Sequence, residues 1–420
     1  MAKLTLAEVV NKMLKFEGKD RATMVGIGPM SRTLIKACFL LAQEKDFPVM
    51  FIASRNQVDK DSLGGGYVAG WDQHRFARDI KAVADEVGYQ GLYYLCRDHG
   101  GPWQRDGERN AHLPEEEAMK LGKESYLEDL VQGFDLLHID PTKDPYVVGK
   151  VIDMDVNIRR TVELIEYVET ERKARSLPPI SYEVGTEETN GGLTSPENYK
   201  KFIEKLHAEL DAKGLPHPSF IVGNTGTLTR LTEQVGVVDS TSCKELSAVA
   251  KAHGVGLKEH NGDYLSDEVI LEHPALGVTA MNVAPEFGTV ETQAYLKLVD
   301  VEDRLKKQNL LENPSNLGQA LREEAVKSGR WKKWMTDGRD KLTMEEIFQD
   351  AELTQLITEI SGHYTFNDER IKKEIRTLYD NLATQGIDGE AYVIYKIQNA
   401  IDHYVECFNL KGLTTRLQQG

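Results

Sequence analysis

The sequence predicts an α/β protein, a (β/α)8 TIM barrel with a C-terminal helical extension. In residues 1–308, short runs rich in β-branched residues alternate with segments of helical periodicity, which is typical of βα units and a parallel sheet. Eight strand candidates are present, the number that closes a TIM barrel. A doubly wound open sheet is the alternative, but the GIGPM turn lacks the spacing of a dinucleotide fingerprint.

The elements follow one another with short connections. The N-terminal segment MAKLTLAEVVNKMLKF predicts an amphipathic helix rather than a signal peptide. The strand candidates then cover residues 21–30, 48–54, 91–101, 134–140, 181–188, 219–226, 255–263 and 277–284. The helical stretches between and after them cover residues 31–46, 74–88, 114–133, 157–176, 196–214, 242–254 and 290–308.

The last part of the chain, residues 309–420, has a different pattern. It is polar and helical, and it has no further strand runs. We therefore expect two units, a catalytic barrel at 1–308 and a helical extension at 309–420 packed on the barrel near its mouth. Segment 361–373, SGHYTFNDERIKK, is dense in hydrogen-bonding groups, although such clusters are often solvated loops.

Composition limits the classes of partner. Hydrophobic residues make up 40% and charged residues 28% of the 420 residues, as in a soluble globular protein, and no apolar run has transmembrane length. The formal net charge of −16 argues against nucleic acid or an anionic membrane as the main partner, but not against a small anionic substrate. The cysteines fit neither a CxxC motif nor a disulfide framework, so we expect a cytoplasmic protein; they are Cys38, Cys96, Cys243 and Cys407.

Polar side chains follow almost every strand candidate. In a TIM barrel these strand ends form the active-site rim, and the last inward residues of alternate strands share a layer. Asp98, Glu187 and His260, from the third, fifth and seventh strands, would then face one another, with His99 just beyond. Two imidazoles and several carboxylates suit Zn²⁺, or a harder ion such as Mn²⁺ or Mg²⁺. The rim group comprises Asn56, Gln57, Asp98, His99, Asp140, Glu187, Asn224, His260, Asn261, Asn282 and Glu286.

Two strand positions predict a charge pair inside the barrel. Glu183 and Lys258 fall on inward phases of the fifth and seventh strands, and unpaired buried charges would be costly. We expect them to pair, with Gly185 leaving room for the lysine. His138, two residues before Asp140, is interpreted as a core histidine with satisfied hydrogen bonds.

A set of motifs in fixed order also resembles a known family. The motifs are SRNQV with GGGY, RDHGGPW, LLHID, SYEVGTE, KEHNGDY, RWKKWM and HYTFNDERIKKE. Together they resemble the accessory-subunit family of class II tagatose-bisphosphate aldolase, the GatZ/KbaZ-like group, over nearly the whole chain. The resemblance implies a TIM barrel related to class II aldolases. It also implies relatedness to metal-dependent 4-epimerases of fructose 6-phosphate, tagaturonate or free hexuloses.

The resemblance assigns roles to individual residues. Asp98 and His99 correspond to the catalytic acid/base and a metal ligand, and Glu187 and His260 to further ligands. Asp140 occupies a polar, functional position. Class II aldolases supply a second histidine from strand six, whereas this chain has IVGNTG there, so the metal and its ligand count stay open.

Two functions are therefore consistent with the sequence. The first is a ketohexose (6-phosphate) 4-epimerase that works by retro-aldol chemistry, with Asp98, Asp140 and Glu187 as catalytic residues. Its divalent ion, Zn²⁺ or else Mn²⁺, Ni²⁺, Co²⁺ or Mg²⁺, would be bound by His99, Glu187 and His260. The second is a non-catalytic subunit that stabilises a class II aldolase; a homo-oligomer is open in either case. The substrate-binding candidates are Asn56, Gln57, Asn224, Asn261 and Asn282, with His363, Tyr364 and Arg370 at the far end of the substrate.

Overall fold

Eight parallel strands form a closed barrel in the computed structural model, which describes residues 3–147, 149–186, 192–335 and 338–419. The last strand pairs with the first, so the TIM barrel prediction is confirmed and the open-sheet alternative is wrong. The strands are β1 Met24–Ile27, β2 Val49–Ala53, β3 Tyr93–Gly100, β4 Leu136–Ile139, β5 Ser181–Gly185, β6 Phe220–Val222, β7 Gly256–Glu259 and β8 Ala280–Val283.

Helices surround this barrel, and side chains that cap their first turns fix where several of them begin. Ser31, Asp72, Ser195 and Asp239 each accept a hydrogen bond from a backbone N–H of the first turn, because those N–H groups have no partner within the helix. The helices are α1 Leu6–Met13, α2 Arg32–Lys45, α3 Gln73–Val87, α4 Asp106–Asn110, α5 Glu115–Val131, α6 Met154–Ala174, α7 Pro196–Ala212, α8 Ser240–Ala252, α9 Asp267–Leu276 and α10 Pro285–Lys307.

The chain after α10 is helical and packs against the barrel helices. Its elements are α11 Leu317–Ser328, α12 Met344–Gln349, α13 Ala351–Ser361, α14 Glu369–Ala383, α15 Gly389–Cys407 and α16 Leu413–Gln419. Helix α15 packs on α2 and α10, and residues of α15 belong to the same hydrophobic core as the barrel. A second, smaller core around Trp331 holds the 3-10 turn Arg330–Trp334 against α11 and α13.

Two local features differ from the sequence expectation. A small antiparallel hairpin, Thr229–Arg230 with Glu233–Gln234, follows β6. A 3-10 turn, Gly362–Thr365, connects α13 to the segment before α14, and it buries part of the polar segment that resembled a solvated loop. None of the described helices is long and apolar enough to cross a membrane.

Candidate active site

The end of β3 is irregular, and this irregularity places two neighbouring side chains in one site. Pairing with β4 changes register between Arg97 and Gly100, and His99 has a positive φ of 45°. In a regular strand, Asp98 and His99 would point to opposite faces. The bulge and the left-handed residue allow the ligand atoms of both side chains to reach the same cluster at the barrel mouth.

Three imidazoles and one carboxylate converge at this mouth. His99, His138 and His260 and the carboxylate of Asp98 place one ligand atom each within 4.8 Å of all the others. Asp98 Oδ1 lies 3.6 Å from His260 Nδ1, 3.8 Å from His99 Nε2 and 3.9 Å from His138 Nδ1. His260 Nδ1 and His99 Nε2 are 2.9 Å apart. Ligands of a tetrahedral Zn²⁺ site lie about 3.3 Å apart, since Zn–N bonds are about 2.0–2.1 Å long. The cluster therefore has the size and chemistry of a site for one divalent ion.

Carboxylates outside the cluster orient two of these imidazoles. His99 Nδ1 lies 2.7 Å from Asp140 Oδ2, and His260 Nε2 lies 2.7 Å from Glu183 Oε1. An ionised carboxylate only accepts, so the ring nitrogen that faces it carries the proton. In each neutral ring, the other nitrogen then presents its lone pair to the cluster. Two facing lone pairs require a positive charge between them, either a proton or a metal ion, and carboxylate–histidine pairs of this kind surround protein metal sites.

The electrostatics keep the two mouth aspartates ionised. Burial would raise the pKa of Asp98, but the positive charge held between His99 and His260 keeps that pKa well below its usual range. Burial also opposes ionisation of Asp140, yet the hydrogen bond with His99 lowers its pKa. Both carboxylates are therefore ionised at neutral pH and can face a cation.

The predicted charge pair inside the barrel is confirmed. Lys258 Nζ donates to Glu183 Oε2 at 2.5 Å, and both side chains are fully buried. The suggested role of Gly185 is wrong: a Cβ there would lie 3.1 Å from Asp140 Oδ1 and 3.3 Å from His138 Nε2. The glycine therefore leaves room for the mouth cluster rather than for the lysine.

His138 was predicted as a core histidine outside the site, but its ring belongs to the mouth cluster. It is buried, as expected of a core residue, but it faces Asp98 and Glu183, and its Nδ1 accepts the His99 backbone N–H at 3.2 Å. Its Nε2 is buried and has no hydrogen-bond partner among the described residues. The signal was available in the sequence, since His138 and Asp140 are two residues apart and share a strand face.

The asparagines of the rim take different positions. Asn282 Nδ2 donates to Asp98 Oδ1 at 3.0 Å and is 3.4 Å from His260 Nε2, so it lies in the cluster. Asn224 is buried after β6, where its backbone carbonyl accepts the Thr194 N–H at 2.8 Å. Asn261, with a φ of 57°, orients a carbonyl that accepts hydrogen bonds from the hairpin after β6.

The loop after β2 forms one wall of the mouth. Asn56 Nδ2 donates to the Gln104 carbonyl at 3.1 Å, and Gln104 Nε2 donates to the Asp140 carbonyl at 2.8 Å. These bonds connect the loop to the residue that orients His99. The Gln57 side chain instead accepts the Ser54 backbone N–H at 2.8 Å and stabilises the loop itself.

The candidates from the C-terminal part of the chain separate into two places. His363 is 1% exposed and its ring lies 4.1 Å from the ring of Tyr364, which makes an edge contact with Tyr67 of the loop after β2. Arg370 is partly exposed on α14, where it pairs with Glu323 at 2.6 Å. Its charge is therefore already neutralised by a helix of the extension.

Glu187 lies outside the described residues, so its predicted catalytic and metal-binding roles stay predictions. The remaining metal candidates, His99 and His260, lie in the cluster, together with His138 and Asp98.

Comparison with known proteins gives one family. The model for "D-tagatose-1,6-bisphosphate aldolase subunit GatZ/KbaZ-like" matches residues 11–396. No curated protein matches the chain. The resemblance drawn from the sequence motifs is thus confirmed over nearly the whole chain.

Solved structures share the fold at low sequence identity. A probable tagatose 6 phosphate kinase from Sinorhizobium meliloti 1021 superposes with a TM-score of 0.74 and 18% identity, over 92% of this chain and 100% of that one. Fructuronate-tagaturonate epimerase UxaE from Cohnella laeviribosi has a TM-score of 0.55 and 13% identity, over 93% of this chain and 81% of that one. Fructose-bisphosphate aldolase from Campylobacter jejuni has a TM-score of 0.52 and 13% identity, over 98% and 97% of the two chains.

Proposed function

The chain belongs to the GatZ/KbaZ-like family of D-tagatose-1,6-bisphosphate aldolase subunits, and from this premise we propose that it is a metal-dependent ketohexose 4-epimerase. It would interconvert fructose and tagatose forms, free or 6-phosphorylated, by retro-aldol and aldol steps. The observation that carries the proposal is the convergence of three imidazoles on Asp98 at the barrel mouth. In a TIM barrel, catalytic residues lie at this end of the strands.

The donor set fits a divalent ion. His99, His138 and His260 would hold it together with Asp98, with Glu187 as a further candidate ligand. Imidazole-rich sets suit Zn²⁺ best, and Mn²⁺, Ni²⁺, Co²⁺ and Mg²⁺ are alternatives. A bound ion of this kind supplies Lewis acidity at the ketose carbonyl and the C3 hydroxyl.

The substrate's own chemistry selects the reaction route. The C4 hydrogen of a 2-ketose is not acidified by the carbonyl, so direct deprotonation at C4 is unfavourable. Cleavage of the C3–C4 bond avoids it: the electron pair remains on the C1–C3 fragment as an enediolate, and C4 becomes an aldehyde carbon. The aldehyde then turns, C3 attacks its other face, and C4 is inverted.

Asp98 is suited to move the proton that this route requires. It would accept the C4 hydroxyl proton during cleavage and return it when the bond forms again. Asn282 fixes the carboxylate through a 3.0 Å bond, and a side chain at Gly26 would collide with Asn282 Oδ1. Asp140 is the weaker candidate for this step, because Thr142 and His99 already occupy its two oxygens.

A second candidate function is supported by the family description, which names an aldolase subunit. In that case the chain would stabilise a class II aldolase partner without turning over a ketose itself. Purified chain that stays inactive with each of several metals, and gains activity only when an aldolase subunit is added, would favour this role.

Isotope exchange tests the epimerase proposal. Turnover of fructose 6-phosphate in heavy water should give tagatose 6-phosphate without deuterium at C4, because the C4 hydrogen stays on carbon throughout. Label at C3 is compatible with the mechanism, since solvent can protonate the enediolate. Deuterium at C4, measured by NMR or mass spectrometry, would exclude retro-aldol cleavage.

A further inference from the structure

Two cations on the 3-10 turn Arg330–Trp334 lie against aromatic rings. Arg330 stacks on the ring of Tyr67, with its guanidinium carbon 3.9 Å from the ring centre. Lys333 Nζ lies 4.6 Å from the ring of Trp334. Within the described ranges, neither cation forms a salt bridge. In a chain with a formal net charge of −16, such cations are available for an anionic ligand.

Hydrogen bonds connect this place to the histidine cluster. The Tyr67 backbone N–H donates to the Asn56 carbonyl at 3.1 Å, and the Asn56 side chain donates to the Gln104 carbonyl. The Gln104 side chain in turn donates to the carbonyl of Asp140, whose carboxylate orients His99. Arg330 therefore lies over the wall of loops that follows β2 and β3. The small core around Trp331 fixes the 3-10 turn that carries it.

A buried imidazole beside these cations has both ring nitrogens without a partner. His363 is 1% exposed, and neither its Nδ1 nor its Nε2 is hydrogen-bonded to any residue that the structure describes. The His363 ring packs on α10, where a Cβ added at Gly288 would come within 2.6 Å of Cγ of His363. Burial lowers the pKa of His363 to about 3, and Lys333 acts in the same direction, so the ring is neutral and carries one N–H. An unsatisfied buried donor of this kind is rare without a ligand.

The charges around Lys333 also favour binding of an anion. Part of its side chain is exposed, yet desolvation lowers its pKa to about 8; Asp106 opposes the shift, and the positive charges of Arg330, Lys143 and Arg109 add to it. Lys333 therefore remains mostly protonated at neutral pH. A bound anion would offset the repulsion between Lys333 and Arg330.

We propose that Arg330 and Lys333, together with the imidazole of His363, form an anion subsite that takes the phosphoryl group of a ketose 6-phosphate. The identification of the ligand as a ketose phosphate rests on the proposed function. The inference that the subsite binds an anion rests only on Arg330, Lys333 and His363. The reacting carbons would lie at the histidine cluster and the phosphoryl group at the far end.

Kinetics on two substrates test the subsite. Lys333→Gln should lower kcat/KM for fructose 6-phosphate roughly 10- to 100-fold, the usual range for a lost charge-assisted hydrogen bond, and leave free fructose within about twofold. Lys333→Arg should restore most of the loss because it keeps the charge. Lys332→Gln is the matched control, since Lys332 lies on the same 3-10 turn but its Nζ faces the ring of Trp331 instead of Trp334. Equal losses for both substrates in Lys333→Gln would overturn the subsite.

Binding of inorganic phosphate separates this inference from the proposed function. By calorimetry, phosphate should bind the parent and Lys332→Gln alike, and bind Lys333→Gln and Arg330→Gln about tenfold more weakly or worse. This pattern, in a protein that turns over no ketose, would support the subsite and remove the epimerase proposal. Equal phosphate affinity in all four proteins, or no binding by the parent, would overturn the subsite whatever the turnover.

Discussion

Two buried clusters of charged side chains meet at β3, and they balance their charges in different ways. On the outer side of the barrel, Arg97 forms a bidentate ion pair with Asp129, with nitrogen–oxygen distances of 2.5 and 2.8 Å. Arg55 is buried beside it and pairs with Asp59 at 3.0 Å and with Glu108 at 2.7 Å. Each guanidinium in this outer network faces carboxylates, so cations and anions match.

The mouth cluster on the inner side has no such match. Its carboxylates face imidazoles, and the imidazoles of His99 and His260 face each other at 2.9 Å. Acceptors outnumber fixed positive charges there, so an additional cation would stabilise the cluster. Burial and shifted pKa values occur in both clusters and do not identify the functional one. The imbalance between carboxylates and cations identifies the mouth cluster as the functional one.

The largest expected effect is on catalysis at the mouth. Asp98→Asn removes the proposed proton acceptor and keeps the shape of the side chain, so kcat should fall about 10²- to 10⁴-fold. The free energy of unfolding should change little, because Asn282 can still donate to the new amide oxygen. Steady-state kinetics and urea unfolding measure the two quantities.

Asp85→Asn serves as the matched control for that variant, since Asp85 is exposed on α3 and pairs with Lys81. It should be fully active. An Asp98→Asn enzyme with parental kcat would remove Asp98 from the mechanism. An Asp98→Asn protein that still stabilises an aldolase partner would show that the accessory role is independent of the site.

The next effect concerns stability and belongs to the outer network. Arg97→Met strands the carboxylate of Asp129 in a fully buried position and should lower the free energy of unfolding by about 3–5 kcal/mol. Lys81→Met, which breaks the exposed Lys81–Asp85 pair, should leave the free energy of unfolding nearly unchanged, because solvent screens an exposed ion pair. Urea denaturation of both variants measures the difference. A cost for Arg97→Met as small as for Lys81→Met would mean that the outer network does not need its cation.

The contrast between the clusters also shows what the sequence could predict. Strand runs and their polar ends gave the barrel and the neighbourhood of Asp98, His99 and His260, because period-two patterns and parallel topology determine where strand ends meet. The pairing of Glu183 with Lys258 followed from the same strand phase.

The sequence could not predict features that depend on local backbone irregularity or on distant packing. The bulge that lets Asp98 and His99 share a site has no sequence signature of its own. The hairpin after β6 has strands of two residues each, too short for a period to be visible. In the extension, Arg370 and Lys333 look alike in sequence, and only the packing of α11 and α14 shows that Arg370 is already paired.

A smaller effect is expected for the carboxylate that orients His99. Asp140→Asn replaces the acceptor at His99 Nδ1 by an amide, and loss of such a partner typically weakens metal binding 10- to 100-fold. Zn²⁺ competition with a chelator of known affinity would measure this change. Asp155→Asn, an exposed position on α6, is the control and should bind metal as the parent does. Unchanged affinity in Asp140→Asn would argue that His99 does not bind the ion through the nitrogen opposite Asp140.

A third buried carboxylate shows another way to avoid an unpaired charge. Glu291 of α10 is fully buried, and Ser31 Oγ donates to it at 2.8 Å, but no cation pairs with it among the described residues. Burial raises its pKa from 4.5 to about 8, against the hydrogen bond from Ser31. At neutral pH the native protein therefore keeps a proton that the unfolded chain releases.

The pH dependence of stability tests this assignment. Because the native pKa is raised, the contribution of Glu291 is complete below pH 4.5 and declines by up to about 1.4 kcal/mol per pH unit until about pH 8. Glu291→Gln cannot lose a proton and can still accept from Ser31. Its stability relative to the parent should therefore increase between about pH 5 and about pH 9 in urea unfolding. Glu209→Gln, at an exposed position of α7, should show no such trend. A constant difference between Glu291→Gln and the parent across this range would mean that Glu291 is already ionised in the native protein at pH 5.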